Sequence, residues 1–169
     1  MKVYFDRYSP EATECICKDP VIRETPQTRN AEQAAVFALE GLVKGPTPQE
    51  YARGYRPCLP SAEMIARYRE SYTKMLQASQ EEGRIDDFAK KFLSPAGEFT
   101  PWEDRIKVRS VIIKEGTAYA DFSKEFYSYG GGSCFTEAIE TSIVNTLKQF
   151  PEVARVILLV EGRKAELEP

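Results

Sequence analysis

The sequence predicts an α+β protein, a two-layer sandwich in which helices cover one face of a small mixed or antiparallel sheet. Three features favour this class: alternating apolar and polar residues at the start, apolar residues at helical spacing in the middle, and a hairpin, a helix and a strand in the last third. The predicted order is strand, helix, hairpin, helix, strand, with a helical insertion at about 61–103. The 169 residues are enough for one domain, which we expect to span 1–169.

The opening strand is indicated by Val3 and Phe5, which alternate with more polar residues as in a half-buried strand. A second, short strand is expected near Val21–Arg23. The first helix should begin after Asn30, because Asn is a favoured N-cap and Gln33 lies three positions on, as in a capping box. Gly45-Pro46 should end it. Its apolar stripe comprises Ala34, Ala35, Ala38, Leu39 and Leu42.

The insertion is expected to be helical between Pro60 and Pro95. Ser61 can cap its first helix, and Gly83 should break the run into two segments. The first segment carries helically spaced apolar and aromatic residues at Met64, Ile65, Tyr68, Tyr72, Met75 and Leu76. The second segment carries them at Ile85, Phe88, Ala89 and Phe92.

The last third begins with two strands that should meet in a tight hairpin at Glu115-Gly116. The residues of the second strand that we expect to face the core are Ala118, Ala120 and Phe122. Those that we expect to face outward are Thr117, Tyr119 and Asp121. A helix follows from about Ser133 to Pro151, and the closing strand, "RVILLV", is apolar on both faces, which indicates a central or doubly covered position.

The stretch "YSYGGGSCFTEAIE" has the look of a phosphate loop because three glycines precede a helix. It lacks the lysine of a Walker-type loop and the spacing of a dinucleotide fingerprint. We therefore interpret the glycines as a structural turn, with Ser133 as the helix cap.

Composition excludes several classes of function. The chain contains no histidine, so Ser-His-Asp and Cys-His catalysis are excluded and the commonest base and metal ligand are missing. No catalytic, metal or cofactor residues are predicted. The net charge is −3 with Lys and Arg scattered, which argues against nucleic-acid binding, and no apolar run approaches the length of a membrane span.

The four cysteines do not show the paired spacing of a zinc site. In an oxidising compartment one or two disulfides are expected, with Cys58 bonded to Cys15 or Cys17, whereas in a reducing compartment the cysteines would stay unpaired. Cys134 would lie at a helix N-terminus, where a thiolate nucleophile is conceivable. An enzyme that uses Cys134 or paired carboxylates is the least favoured hypothesis.

Two stretches, "VRSVIIKEGTAYADFSKEF" and "GGGSCFTEAIETSIVNTLKQFPEVARVILLVEG", resemble the GerMN domain of sporulation and spore germination proteins. The N-terminal "AEQAAVFALEGLVKGPT" is similar to the first helix of that family. The matching positions are Gly116, Ala118, Asp121, Phe122, Ser123, Thr146, Leu147, Phe150, Pro151, Val153 and Glu161-Gly162. The likeness covers roughly 1–60 and 104–164, and the insertion between them departs from the family pattern.

The resemblance implies a domain without catalytic residues that acts outside the cytoplasmic membrane, in the cell envelope, often within a lipoprotein. The sequence from Met1 fits either a cytoplasmic protein or one whose leader peptide was removed, and the resemblance favours the removed leader. The matched positions are positions of the fold, so they carry no binding role to this chain.

We therefore predict a non-enzymatic interaction or scaffold module whose partner is another protein or a second copy. If helices cover one sheet face, the other face would present Tyr4, Tyr8, Arg109 and Tyr119, residue types favoured at interfaces. The inserted helix around Met64–Leu76 could instead pack over that face.

The alternative prediction is a module that binds cell-wall glycan or a small anion in a pocket between insertion and core. Its stacking residues would be Tyr51, Tyr55, Tyr68 and Tyr72, although helical spacing also places Tyr68 and Tyr72 in a core.

Overall fold

The structure, a computed structural model, describes residues 1–7, 17–24, 26–81, 103–129 and 132–167, with the backbone alone described at 75–81. Tyr8, Gly83 and the second apolar segment of the insertion lie outside the described residues, and so do two of the three consecutive glycines.

The described strands are β1 (Lys2–Arg7), β2 (Asp19–Ile22), β3 (Tyr55–Arg56), β4 (Val108–Lys114), β5 (Thr117–Phe122), β6 (Arg155–Val160) and β7 (Arg163–Lys164). The helices are α1 (Ala31–Val43), α2 (Pro48–Ala52), α3 (Ala62–Glu81) and α4 (Ser133–Lys148), with a 3-10 helix at Lys124–Tyr127. The α+β class and the order of the main elements are confirmed. Four short elements were not predicted from the sequence: β3, α2, β7 and the 3-10 helix.

The strands form two sheets, in the orders β2-β1-β3 and β4-β5-β6-β7. Strands β5 and β6 are parallel and the other pairs are antiparallel, so the expected mixed pairing is confirmed. The division into two sheets was not expected. Strand β1 packs against α1 and α4. Just after α4, the side chain of Gln149 accepts a hydrogen bond from the Lys2 amide and donates one to the Lys2 carbonyl, both at 2.7 Å.

Helix α1 begins as predicted, since the Asn30 side chain accepts a hydrogen bond of 2.9 Å from the amide of Gln33. The Gln33 side chain accepts a hydrogen bond from the amide of Arg29 rather than from that of the cap residue. The helix ends at Val43, and Gly45 then takes a positive φ of 74°, a conformation that favours glycine. The predicted stripe is buried. The cap at Ser61 of α3 is confirmed as well, because its hydroxyl accepts a bond of 3.3 Å from Met64.

The predicted hairpin joins β4 and β5 through Glu115 and Gly116, whose φ angles of 50° and 73° are both positive, as in a type I′ turn. Ala118, Ala120 and Phe122 are buried as expected. Thr117 and Asp121 are also buried, so their predicted outward exposure is wrong. Thr117 is short and lies in register between the long side chains of two neighbouring strands, and Asp121 is covered by an ion pair described below.

The N-terminus of α4 differs from the prediction. Its N-cap is Gly132, at a φ of 93°, and Ser133 is the first residue of the helix without a side-chain capping bond. The capping role assigned to Ser133 is therefore wrong. A φ of this value is strained for any residue with a Cβ, so the glycine serves the turn itself.

The main core lies between α1, α4 and the two sheets. Its largest fully buried side chains include Phe5, Leu39, Ile143 and Phe122, and Phe122 stacks on Phe126 at 4.8 Å between ring centroids. Strand β6 occupies the predicted central position between β5 and β7, although most of its side chains are only half-buried.

Arg23 connects the N-terminal sheet to the end of α1. Arg23 donates to the carbonyls of Gly41 and Gly45 at 2.8 and 2.9 Å, and its guanidinium lies 5.1 Å from the centroid of the Phe5 ring. It also forms a salt bridge of 2.6 Å with Glu50, and both side chains are less than a fifth exposed. Burial of Glu50 raises its pKa, but hydrogen bonds from Arg23 and Thr47 and the positive charge of Arg23 outweigh that effect, so the pKa lies below the usual 4.5.

Disulfides are present, as expected for an oxidising compartment. Cys17 and Cys58 are bonded, which confirms one of the two predicted pairings. The bond joins the segment before β2 to the segment after β3, so it clamps the two strands that flank β1. Cys134 is also disulfide-bonded. It has no free thiol in this structure, so the hypothesis of a Cys134 nucleophile is wrong.

Candidate interaction surface

Tyr119 lies on the solvent face of the four-stranded sheet, in register with one apolar residue on each neighbouring strand. Ile112 of β4 and Ile157 of β6 are its direct partners. Directly opposed residues of adjacent strands point to the same face, so the three side chains form a row across the sheet. Ile112 is 54% exposed, whereas Tyr119 and Ile157 are half-buried. The row is an apolar surface that nothing in the described part of the chain covers completely.

Arg109, another of the predicted surface residues, forms ion pairs within the protein. It lies beside a β-bulge in β4 and contacts Asp121 at 3.2 Å and Glu161 at 3.0 Å. Asp121 also accepts a bond of 3.0 Å from the amide of Gly162, and Glu161 accepts one of 3.2 Å from the amide of Lys124. The cluster therefore ties the ends of β5 and β6 to the following turn.

Two family-matching positions, Asp121 and Glu161-Gly162, belong to this cluster. Ser123, a third, accepts a bond of 2.9 Å from the amide of Lys107. In this chain these residues stabilise the fold, as the resemblance implied.

Tyr4 lies on the other sheet, on β1. Its amide donates a long hydrogen bond of 3.4 Å to the Thr146 hydroxyl of α4. The residue is half-buried and lines an open hollow with Ile22 of β2 and Lys148 at the end of α4. Ile22 is 81% exposed, the highest value among the large hydrophobic residues of the described chain.

The two tyrosines are linked through Lys148. A second hollow is lined by Tyr119, Ile157, Val144 and the same Lys148, so this lysine lies between the Tyr4 hollow and the Tyr119 hollow. We call this surface the interaction strip and define it by Lys2, Tyr4, Ile22, Lys148, Arg155, Ile157, Tyr119 and Ile112. Of the four residues predicted from the sequence, Tyr4 and Tyr119 lie on the strip. Arg109 lies in the ion-pair cluster of the four-stranded sheet, the sheet that also carries Tyr119.

The strip is basic within an acidic protein. Among the described residues, the charged side chains that line its two hollows are Lys2, Lys148, Arg155 and Glu140, three cations against one anion. The whole chain carries −3. None of the three cations forms a salt bridge within the described residues. Their charges are therefore open to a partner.

A separate hollow lies where the insertion leaves the core. It is lined by Pro46, Pro57, Pro60 and Tyr51, with Lys44 and Arg105 as its charged residues. The ring of Tyr51 is half exposed, and the guanidinium of Arg56 lies 3.9 Å from its centroid. Of the four tyrosines proposed for stacking, Tyr51 is the one at this hollow.

The other three tyrosines proposed for stacking are buried or half-buried. Tyr72 is 2% exposed. Burial, with smaller contributions from Tyr129 and Tyr72, raises the pKa of Tyr68 to about 12. Tyr55 packs against the main core. These placements favour the core interpretation of Tyr68 and Tyr72.

No group of three or more Cys, Asp or Glu side chains among the described residues is arranged to hold a metal ion. No helix in the described ranges is long and apolar enough to cross a membrane.

Sequence reasoning missed Ile22, Ile112 and Lys148. Ile112 had a usable signal, since it is the hairpin partner of Tyr119 once the turn is placed at Glu115-Gly116. Lys148 had none, because only the tertiary fold brings it next to both tyrosines.

A family model described as "Germane: Sporulation and spore germination" matches residues 67–166. Among solved structures, the chain is similar to the first GerMN domain of the sporulation protein GerM from Bacillus subtilis, with 22% identity, coverage of 98% of this chain and 86% of that one, and a TM-score of 0.53. It is similar to the tandem GerMN domains of GerM at 22% identity and a TM-score of 0.52, covering 99% of this chain but 41% of that one.

A third similar structure is that of a candidate lipoprotein from Clostridium perfringens, with 17% identity, coverage of 99% and 78%, and a TM-score of 0.51. The chain thus spans about two fifths of the tandem-domain structure. No curated protein matches the sequence significantly. At these identities the structural neighbours support the fold, and they carry no residue roles.

Proposed function

We propose, since the chain belongs to the Germane family of sporulation and spore germination, that it is a non-enzymatic, extracytoplasmic interaction or scaffold module. The observation that carries this proposal is the interaction strip. It combines exposed isoleucines, two half-buried tyrosines and unpaired cations on one continuous surface. Tyrosine and large apolar residues are favoured at the centres of protein interfaces.

The proposed location outside the cytoplasm has two supports. Disulfides persist in oxidising compartments and are rare in the cytosol, and the described cysteines of this chain are bonded. A solved structure of similar fold belongs to a candidate lipoprotein. The partner in this compartment would be another protein or a second copy of the chain.

Photo-crosslinking tests the proposed interface directly. We expect p-benzoylphenylalanine at position 112 or 119 to give one defined crosslinked species in the cells that produce the protein. The same probe at position 67, whose arginine is 72% exposed on α3, serves as the matched control. Crosslinking is expected at positions 112 and 119 and not at position 67, because only 112 and 119 lie on the interaction strip.

A second variant separates binding from folding. Tyr4→Ala/Tyr119→Ala should abolish the crosslink from position 112 and leave the circular dichroism spectrum and the cooperative unfolding transition unchanged in shape. The proposal is wrong if position 67 gives the same crosslinked species, if no species forms from either strip position, or if the alanine variant crosslinks normally. Unfolding of the alanine variant would show instead that the tyrosines serve the core.

The hollow at Tyr51 favours a second candidate function, the binding of a glycan fragment or a small anion. Its apolar walls, one exposed aromatic ring and two cations without an acidic residue suit an anionic sugar. A ligand that binds only the folded state raises the melting temperature by mass action. We expect phosphate or anionic cell-wall fragments to raise the melting temperature of the protein but not that of Tyr51→Ala/Arg105→Ala. Equal shifts for both proteins would contradict a site at this hollow.

A further inference from the structure

We propose that the interaction strip binds an acidic segment of another protein, one whose carboxylates alternate with apolar or aromatic side chains. This inference rests on the proposed function and specifies the chemistry of its partner. It is carried by the charges and the shape of the strip, in three steps.

The first step is the charge imbalance. Lys2, Lys148 and Arg155 lack salt-bridge partners within the described residues, whereas two of the three cations of α3, Arg67 and Lys74, are paired with glutamates four residues away. Carboxylates of a partner would pair the three strip cations with charge-assisted hydrogen bonds. A basic partner would be repelled, since Glu140 is the one acid lining the two hollows. Charge complementarity therefore selects an acidic partner.

The second step is the spacing of apolar and charged groups. Lys148 has Tyr4 and Ile22 on one side and Val144 and Ile157 on the other. A carboxylate placed at Lys148 would thus be flanked by apolar side chains in both directions. An extended chain presents such an alternation, because successive side chains point to opposite sides and every second one faces the same surface.

The third step distinguishes a polypeptide from other polyanions. A uniformly anionic polymer would pair the cations but leave the row of Ile112, Tyr119 and Ile157 in water. A membrane surface would meet Tyr119 and Tyr4, which are half-buried beside hollows rather than projecting from them. Side chains that enter the two hollows satisfy both requirements, and a protein segment supplies them.

The test uses a fluorescein-labelled random copolymer of glutamate and tyrosine and measures its binding to the whole chain by fluorescence anisotropy. The comparison polymers are polyglutamate and a lysine–tyrosine copolymer, and phosphatidylglycerol vesicles are tested by co-sedimentation. We expect the glutamate–tyrosine copolymer to bind most tightly. Its affinity should fall as salt is added, because exposed charges are screened over about 8 Å at physiological ionic strength.

Charge reversal localises the binding. Lys148→Glu/Arg155→Glu should weaken the copolymer at least about tenfold, which corresponds to about 1.4 kcal/mol. Arg67→Glu/Lys74→Glu makes the same change in net charge on α3 and should leave the affinity within about twofold, a free-energy change small beside that tenfold loss. Lys148→Gln/Arg155→Gln places no new acid at the end of α4 and should weaken the copolymer by an intermediate amount. This variant replaces the charge reversal if the reversal impairs the fold.

Several outcomes would overturn the inference. These are equal weakening by the α3 variant, equal binding of polyglutamate, tighter binding of the lysine–tyrosine copolymer, or a preference for vesicles. If copolymer binding fails while positions 112 and 119 still crosslink to a protein, the acidic character of the partner is wrong and the interface stands. If crosslinking fails as well, the proposed function is wrong.

Discussion

Replacing Cys17 and Cys58 together by alanine lowers the free energy of unfolding by about 4 kcal/mol, the chain-entropy value for a closed loop of about 42 residues. The two half-cystines are separated by 41 positions in the sequence, and the loop between them contains β2, α1, α2 and β3. Without the bond the unfolded chain gains conformational freedom, while the folded chain keeps its hydrogen-bonded strands. A loss of this size is a large part of the stability of a domain of this length.

The measurement is urea unfolding of the oxidised wild type and the double variant. Cys17→Ser/Cys58→Ser is the companion variant, because both sulfur atoms are buried and the hydroxyls would add a cost of burial that alanine does not. Reduction is not an equivalent control, since it also breaks the bond of Cys134. A loss below about 1 kcal/mol for the alanine variant, well under the usual 2–5 kcal/mol, would show that the bond does not constrain the unfolded state.

Replacing Arg23 by methionine should lower the free energy of unfolding by about 3 kcal/mol, as expected when one partner of a largely buried ion pair is removed. The change leaves Glu50 without its cation and deprives the carbonyls of Gly41 and Gly45 of their donors. Arg23→Lys keeps the charge but lacks the forked geometry of the guanidinium, so it should fall between wild type and Arg23→Met. Equal stability of the methionine variant and wild type would contradict the assigned role.

The pH dependence of the same variants checks the mechanism. The pKa of Glu50 is lower in the folded protein than the usual 4.5, so the unfolded chain takes up the proton first as the pH falls. The ion pair therefore stabilises the fold above about pH 4.5, and its contribution is lost as the pH falls through the lower, folded-state pKa. The difference in stability between wild type and Arg23→Met should be largest near neutral pH and should shrink in acid. A constant difference down to pH 3 would exclude Glu50 as the responsible partner.

The sequence predicted those parts of the fold that are encoded by neighbouring residues. The GerMN resemblance is confirmed by the family match. The cap at Asn30, the end of α1 at Gly45 and the turn at Glu115-Gly116 each depend on side chains or glycines within a few positions. The capping box of Thr47 and Glu50, which begins α2, was also readable as a Thr-x-x-Glu pattern and was overlooked.

The errors concern contacts between residues distant in sequence. Alternation alone places Asp121 outside, but the fold brings Arg109 and Gly162 to its carboxylate and buries it. Alternation likewise identifies Tyr4 and Tyr119 as outward residues and cannot show that Lys148 lies between them. The strip combines residues of six elements, namely β1, β2, β4, β5, β6 and α4. Its charge could therefore not be read from the sequence.

The bond between Cys17 and Cys58 also determines how the domain would carry mechanical tension. A pull applied along the backbone passes through the two sulfur atoms rather than through the loop of chain between Cys17 and Cys58, which lie 41 positions apart. Helix α1, which lies within that loop, is shielded from the load, and about 140 Å of contour length is withheld from extension. Under such a load the disulfide would therefore keep α1 and α2, which both lie between the two cysteines, out of the stretched path.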